Sequence, residues 1–287
     1  MTPPKLVSHD RQLCIWQDRI FFLCVWIFGL LGALLPLCII VFLFYRGGQA
    51  ISWDLLWQAP KGFPLGSGGG MRPAIQGSLA LISLGLMVSL PFGVGAAIYL
   101  SEYNPPETVQ RAVALCSACF AGVPAIVYGL FGYAVLVVGL RMKVSLLAGG
   151  ITLGLVMLPI VLLGAYEAIR GVESKYRETA LALGVSRSYA FHKNILPKAW
   201  GGILATVVLA AGHAFGSAAP VLLTASVVLS KGDIGLSSPV MTLPTHLYYL
   251  VSEASSSDQA YATALILVAL LMIGNLGVTV MKSWQER

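Results

Sequence analysis

Four polar residues near the carboxyl end of the chain recur at a spacing that places them on one face of a helix. Steps of seven, four and seven residues separate Thr206, His213, Ser217 and Thr224, and Pro220 continues the same face. An ionisable side chain within an apolar helix commonly marks the path of a polar substrate, and His213 is the ionisable member of this set. The spacing therefore predicts a polar translocation pathway along this helix.

The same face permits two other interpretations. Gly212 and Gly216 form a small-xxx-small pattern, and Ser, Thr and His side chains can link membrane helices, so the face could serve packing. Ser217 also lies one helical turn from His213 and could be a nucleophile beside a base. We favour an enzyme less, because the span supplies no carboxylate to orient the imidazole. The four histidines of the chain are too scattered for H-E-x-x-H zinc chemistry, so no metal ligands are assigned.

A second candidate site is the polar segment 170–197, which interrupts the apolar sequence with five Lys and Arg residues. Gly184 lies between two short helix-compatible stretches, and a glycine there permits the positive φ of a helix end. Pro197 marks the start of the next membrane helix. The segment therefore predicts a compact helical knob that enters a groove on a partner. Its contact surface would comprise Glu178, Ala180, Leu181 and Val185.

Composition identifies the kind of protein that carries these sites. Hydrophobic residues make up 57% of the 287 residues and charged residues 10%, and the mean hydropathy is +0.82, which is typical of an integral membrane protein. The net charge of +6 is not clustered on a polar face, so nucleic acid is not an expected partner and membrane lipid is. The five cysteines lie in or near apolar stretches and indicate neither disulfides nor a zinc site.

Six apolar stretches are long enough to cross a hydrocarbon core about 30 Å thick, at a helical rise of about 1.5 Å per residue. The sequence therefore predicts an all-α, polytopic bundle that forms a single membrane domain over residues 20–287. A break at Gly122-Val123-Pro124 would leave residues 106–116 at the interface. The predicted spans are 20–45, 75–100, 113–140, 144–166, 199–226 and 259–281.

The distribution of Lys and Arg predicts the orientation of the bundle. One side of the predicted topology carries 12 of these residues and the other carries 6, and the richer side is expected to face the cytoplasm. Both termini, the N-terminal segment 1–19 and the knob at 170–197 are therefore expected inside. The loops 46–74 and 227–258 are expected outside.

The polar segment resembles the coupling loop of ATP-binding-cassette (ABC) importer permeases. The signature of that loop is Glu-Ala-Ala, three residues, Gly, nine residues, Ile, one residue, Leu-Pro. The spacing is intact here, with Thr179 in place of the first alanine and Asn194 in place of the isoleucine. The resemblance implies that the loop contacts a separate ATPase. The residues it assigns to this contact are Arg177, Glu178, Thr179, Ala180, Leu181, Gly184 and Pro197.

A wider resemblance covers residues 50 to 280. The segments 68–79, 90–103, 122–132 and 219–225 resemble the A-type permease of bacterial phosphate importers. That family implies a type I importer permease fold that moves inorganic phosphate across the bacterial cytoplasmic membrane by alternating access. It implies three partners, namely an ATPase dimer, a homologous C-type permease and an external substrate-binding protein. ATP would be bound by the ATPase, since this chain contains no G-x-x-x-x-G-K-[ST] motif, and no cofactor is expected in the chain itself.

The resemblance is incomplete in the predicted pathway. Phosphate permeases usually read Ala-Arg-Ala-x-Gly-Glu-Thr-Ala-Pro, and this chain has His213 for the arginine, Ser217 for the glutamate and Ala218 for the threonine. An anion that leaves water needs hydrogen-bond donors, and an ordinary histidine is only partly cationic at neutral pH. A different oxyanion or small solute therefore stays open as the substrate.

Overall fold

The computed structural model is a bundle of α-helices. It describes residues 8–285 except 63, 64, 67, 231, 233, 254 and 255, and within these residues no strand ladder forms, only two isolated bridges. The helices are α1 (Ser8–Gly47), α2 (Trp53–Trp57), α3 (Arg72–Glu102), α4 (Glu107–Gly122), α5 (Ala125–Gly132), α6 (Leu146–Arg170), α7 (Ser174–Ala182), α8 (Arg187–Ala190), α9 (Leu196–Phe215), α10 (Ala219–Thr224), α11 (Leu243–Ser252) and α12 (Ser257–Gln285). Among the described residues, five helices are long and apolar enough to cross a membrane, and the count is six if the bent pair Glu107–Gly122 and Ala125–Gly139, in which a π-helical segment Tyr133–Gly139 continues α5, is one span. The prediction of an all-helical membrane bundle is confirmed.

Helices α3 and α6 form the centre of the bundle. Small residues on α3 let the two backbones approach closely, as in other tightly packed membrane helices. A Cβ added at Gly93 would lie 2.7 Å from Cγ1 of Val161, so this contact has no room for a larger side chain. Helix α6 is buried along most of its length, and α9 packs beside it through Ile203 and Ala210. Helices α3 and α6 therefore share a close contact at the centre of the bundle.

The third predicted span, 113–140, is not one straight helix. Helices α4 and α5 meet at 97°, and the break falls at Gly122–Pro124, where the sequence predicts one. The physical reason is that Pro124 has no N–H to continue the α4 hydrogen-bond ladder and disfavours helical geometry at Val123. We call this bend the elbow. The Tyr128 hydroxyl donates a 2.7 Å hydrogen bond to the Phe120 carbonyl and so joins its two arms.

The fifth predicted span, 199–226, is also divided, which corrects the expectation of one continuous helix. Helix α9 ends at Phe215 with Gly216 as its cap, and the short helix α10 begins at Ala219. Pro220 in the first turn of α10 cannot donate a backbone hydrogen bond, so the helical hydrogen-bond pattern is interrupted in this region. Thr224 therefore lies on a different helix from Thr206 and His213.

Helix α1 lies at the edge of the bundle. It begins at Ser8, so residues 8–19 of the predicted N-terminal segment 1–19 continue into the first helix, and residues 1–7 lie outside the described part. The helix packs against α12 near its carboxyl end, where the Phe42 and Tyr261 rings lie 5.6 Å apart. Side chains from Trp16 to Val41 are mostly exposed, as expected for a helix that faces lipid.

The end of the bundle opposite α7 is closed by α11. Its cap is fixed by a 2.8 Å hydrogen bond from the Leu243 N–H to the Ser78 hydroxyl, which connects α11 to α3. His246 is buried against α12, with Nδ1 3.3 Å from the Thr263 hydroxyl, and burial lowers its pKa to about 4. The imidazole is therefore neutral at physiological pH and serves packing at this end.

Candidate coupling surface and pathway cavity

The predicted knob is a pair of short helices joined by a glycine turn. Helix α7 ends at Ala182, Gly184 takes a φ of +68°, and α8 begins at Arg187. The Val185 N–H donates a 3.1 Å hydrogen bond to the Ala180 carbonyl, the contact that closes a Schellman turn. The left-handed conformation that this turn requires is the reason for a glycine at position 184. The predicted order of helix, glycine and helix thus matches the structure.

The knob presents two different faces. Glu178 and Thr179 are exposed, and so is Leu183, with 74% of its surface open to solvent. Ala180 is buried beneath them, and Pro197 is exposed in the first turn of α9. We call Glu178, Thr179 and Leu183 the outer face of the knob.

Arg177 points in the other direction from the outer face. Its guanidinium donates to Oε1 of Glu102 from Nη2 at 2.8 Å and from Nε at 3.1 Å. It also donates to the carbonyls of Ile169 and Val172, each at 2.9 Å. The resemblance to importer permeases assigned Arg177 to the contact with the ATPase, whereas in the structure this side chain points into the bundle. Leu181, the remaining residue of the predicted contact, belongs to the last turn of α7.

Substitution at Gly184 tests the turn directly. A Cβ at this position would meet no atom within 4 Å, so the cost of a larger residue is backbone strain alone, about 1–2 kcal/mol for a positive φ. We expect Gly184→Val to reshape the knob and to reduce substrate uptake severalfold. Gly184→Asn is the matched control, because asparagine tolerates this conformation, and should stay near wild type. Equal uptake by both variants would contradict this role of the turn.

The structure separates the residues of the predicted polar face. Thr206 is buried against Gly164 of α6 and donates a 3.0 Å hydrogen bond to the Gly202 carbonyl. Thr224 is buried in α10 and donates a 2.7 Å hydrogen bond to the Pro220 carbonyl. Both hydroxyls are thus partnered within their own helices. Ser217 follows the end of α9 and is half-buried. These placements correct the single polar stripe that the sequence predicts.

His213 is exposed on α9 and lines a cavity of about 350 Å³ at the elbow. Val123 and Tyr128 line the elbow side of this cavity, and Pro159 and Leu163 line the α6 side. The cavity walls are apolar, and the imidazole of His213 is the basic group among them. Sequence reasoning did not assign Tyr128 or Pro159 to this region, although the break at Gly122–Pro124 and the proline inside α6 were visible signals. Among the residues whose geometry is described, no group of three His, Cys, Asp or Glu side chains could hold a metal ion.

Comparison with known proteins identifies the family of this chain. Residues 89–287 match the family model described as a binding-protein-dependent transport system inner membrane component, which covers more than half of the chain. The chain belongs to this family. The permease is therefore a multi-pass inner-membrane transport component, and the enzyme interpretation of His213 and Ser217 is not supported.

The curated relatives of the permease include several named for phosphate transport. It is 31% identical over 270 residues to the probable phosphate transport system permease protein PstA of Methanocaldococcus jannaschii, covering 93% of this chain and 92% of that protein. It is 32% identical over 231 residues to the phosphate transport system permease protein PstA 2 of Mycobacterium bovis, covering 79% and 75%. It is 26% identical to the probable ABC transporter permease protein YqgI of Bacillus subtilis, covering 87% and 90%.

Solved structures share the fold of the permease. A bacterial alginate ABC transporter, solved with its pentasaccharide-bound periplasmic protein, matches at a TM-score of 0.64 and 16% identity, covering 96% of both chains. The MetNI methionine ABC transporter matches at a TM-score of 0.61 and 15% identity, covering 76% of this chain and 95% of that chain. The type I ABC importer permease fold expected from the sequence is confirmed.

Proposed function

We propose that the permease is the A-type membrane subunit of an ATP-driven importer of inorganic phosphate. The observation that carries this proposal is the identity of 31% with a relative named as a phosphate permease, across nearly the full length of both proteins. The elbow cavity contains one basic side chain, His213, and is the position at which we place the path of the anion. The chain would move phosphate by alternating access, with the energy supplied from outside the chain.

The energy would enter through the outer face of the knob. The spacing of the coupling signature and the exposure of Glu178 and Leu183 support docking of an ATPase dimer at this surface. ATP would be bound by that dimer, and the chain would need no cofactor. This arrangement requires the knob and both termini to lie in the cytoplasm, in agreement with the bias of Lys and Arg residues. A C-type permease and an external substrate-binding protein would complete the importer.

Uptake measurements in the complete importer test the substrate. We expect proteoliposomes that contain all the subunits to accumulate radiolabelled phosphate only when ATP is enclosed with the ATPase. Unlabelled sulfate and phosphonate should compete poorly. ATP-dependent accumulation of radiolabelled sulfate or phosphonate, with no accumulation of labelled phosphate, would assign the permease to a different oxyanion, the alternative that His213 and Ser217 leave open.

His213 is the proposed polar group of the pathway, since its side chain is exposed to the elbow cavity. A hydrogen bond to a charged group contributes about 1.5–3 kcal/mol, so we expect His213→Ala to lower phosphate uptake about tenfold or more. His213→Gln retains a donor and should recover part of the rate. Co-purification with the ATPase should stay unchanged in both variants. Undiminished uptake by His213→Ala would instead favour a packing role.

A further inference from the structure

One side chain of α7, that of Arg177, makes four hydrogen bonds to the rest of the bundle. All three guanidinium nitrogens of Arg177 donate hydrogen bonds, and their acceptors belong to two different membrane helices and the turn that follows one of them. Glu102 is the last residue of α3, Ile169 lies in the last turn of α6, and Val172 lies in the turn between α6 and α7. Arg177 thus joins the ends of α3 and α6 to the middle of α7, which we call the coupling helix.

Elementary electrostatics explains why this position holds an arginine. The carbonyl end of a helix carries partial negative charge, so a carboxylate at the end of α3 is unfavourable unless a cation neutralises it. Only 10% of the Glu102 side chain is exposed, which strengthens its need for a partner. The carbonyls at the end of α6 carry partial negative charge and attract the same cation. A planar guanidinium can satisfy all these acceptors at once, whereas a lysine ammonium is a single point charge.

A neighbouring contact attaches α7 to a third helix. The Lys198 ammonium, in the first turn of α9, lies 4.3 Å from the centre of the Tyr176 ring. Tyr176 and Arg177 are adjacent, so two consecutive residues connect the coupling helix to α3, α6 and α9. Helices α3 and α6 also approach closely at their glycines, since a Cβ added at Gly154 of α6 would lie 3.0 Å from the carbonyl oxygen of Gly85 of α3.

We propose that Arg177 is a positioning residue that transmits the movement of the knob to α3 and α6 through its bridge to Glu102. This inference rests on the proposed docking of an ATPase at the outer face. Arg177 does not itself contact the ATPase, since its donors are occupied inside the bundle. The outer face determines whether the ATPase binds, and the bridge determines whether hydrolysis moves the membrane helices.

Paired measurements of docking and transport separate these two roles. The variants are Arg177→Gln, Arg177→Lys and Glu102→Gln, each studied in the complete importer in proteoliposomes. For Arg177→Gln, we expect ATPase co-purification to stay within about twofold of wild type. Phosphate uptake per ATP hydrolysed should fall about tenfold in this variant, which is in the upper part of the range for residues that carry coupling between sites. Arg177→Lys should fall between this variant and wild type. The double variant Arg177→Gln/Glu102→Gln should be no worse than Arg177→Gln alone.

The control is Arg111→Gln. Arg111 forms a pair of the same chemistry with Glu107, at 2.6 Å, but both residues are exposed on α4 and connect no two helices. Its uptake per ATP should match wild type. Loss of the ATPase from Arg177→Gln would overturn the inference, because it would place Arg177 at the docking surface, and additive effects of Arg177→Gln and Glu102→Gln would overturn the bridge. Failure of the wild-type chain to retain any ATPase would refute the proposed function instead.

Discussion

Replacement of Glu178 by lysine is expected to abolish uptake by detaching the ATPase. Glu178 is exposed on the outer face of the knob, next to Thr179, and forms no ion pair among the contacts that the described residues make. A reversed charge in a protein interface costs several kcal/mol, so we expect co-purification of the ATPase to fall by about 100-fold or more. The amount of folded permease in the membrane should not change, because the side chain supports nothing within the bundle.

Glu253→Lys is the matched control for this substitution. Glu253 is also exposed and follows α11, at the opposite end of the bundle from the knob. The same reversal of charge there should leave ATPase co-purification at the wild-type level. Equal retention of the ATPase by Glu178→Lys and by the wild-type protein would contradict the assignment of the outer face as the docking surface.

Gly77→Ala is expected to cause the largest loss of stability among single-methyl additions in α3. A Cβ at Gly77 would lie 2.1 Å from the carbonyl oxygen of Met241, a backbone atom that cannot rotate away. Overpacking of this kind costs about 1–3 kcal/mol, and the Ser78 contact that holds α11 lies next to it. We expect the apparent Tm in detergent to fall by about 5 °C or more.

Gly95→Ala provides the control in the same helix. No atom lies within 4 Å of a Cβ at Gly95, so the added methyl group should be tolerated, and alanine is the better helix former. The measurement is the fraction of monodisperse protein that remains after heating across a temperature series. Similar melting curves for the two variants would show that the segment around Met241 can move aside.

The knob and the spans could be predicted from the sequence because their signals are local. Hydropathy places membrane helices without knowledge of their neighbours, and the turn at Gly184 depends on one residue that tolerates a positive φ. The direction of Arg177 could not be predicted in this way. Its partner, Glu102, is 75 residues away in the sequence, and only the packing of α3 beside α6 brings the two together.

The prediction of one continuous polar face was wrong for a related reason. Steps of seven and four residues place side chains on one face only while the helix is unbroken, and Gly216 ends α9 between His213 and Ser217. His213 still lines a cavity, but its companions there are Val123 and Tyr128 of the elbow, which come from a distant part of the chain. A periodicity argument extended past Gly216 and Pro220 therefore placed Thr206 and Thr224 on one helix, whereas they lie on α9 and α10 and face Gly164 and Gly149 of α6.

The elbow has a consequence for how the subunit exists in a bilayer. It lies against Pro159, near the middle of α6, and within the described part of the chain the start of α5 has a backbone hydrogen bond from Val127 to Pro124 but no side-chain cap. Hydrocarbon offers these peptide groups no hydrogen-bonding alternative, so irregular backbone at this depth is stable only against protein or water. The outer side of the elbow is therefore expected to face protein or water, and a bilayer that thins or admits water there would stabilise the lone subunit.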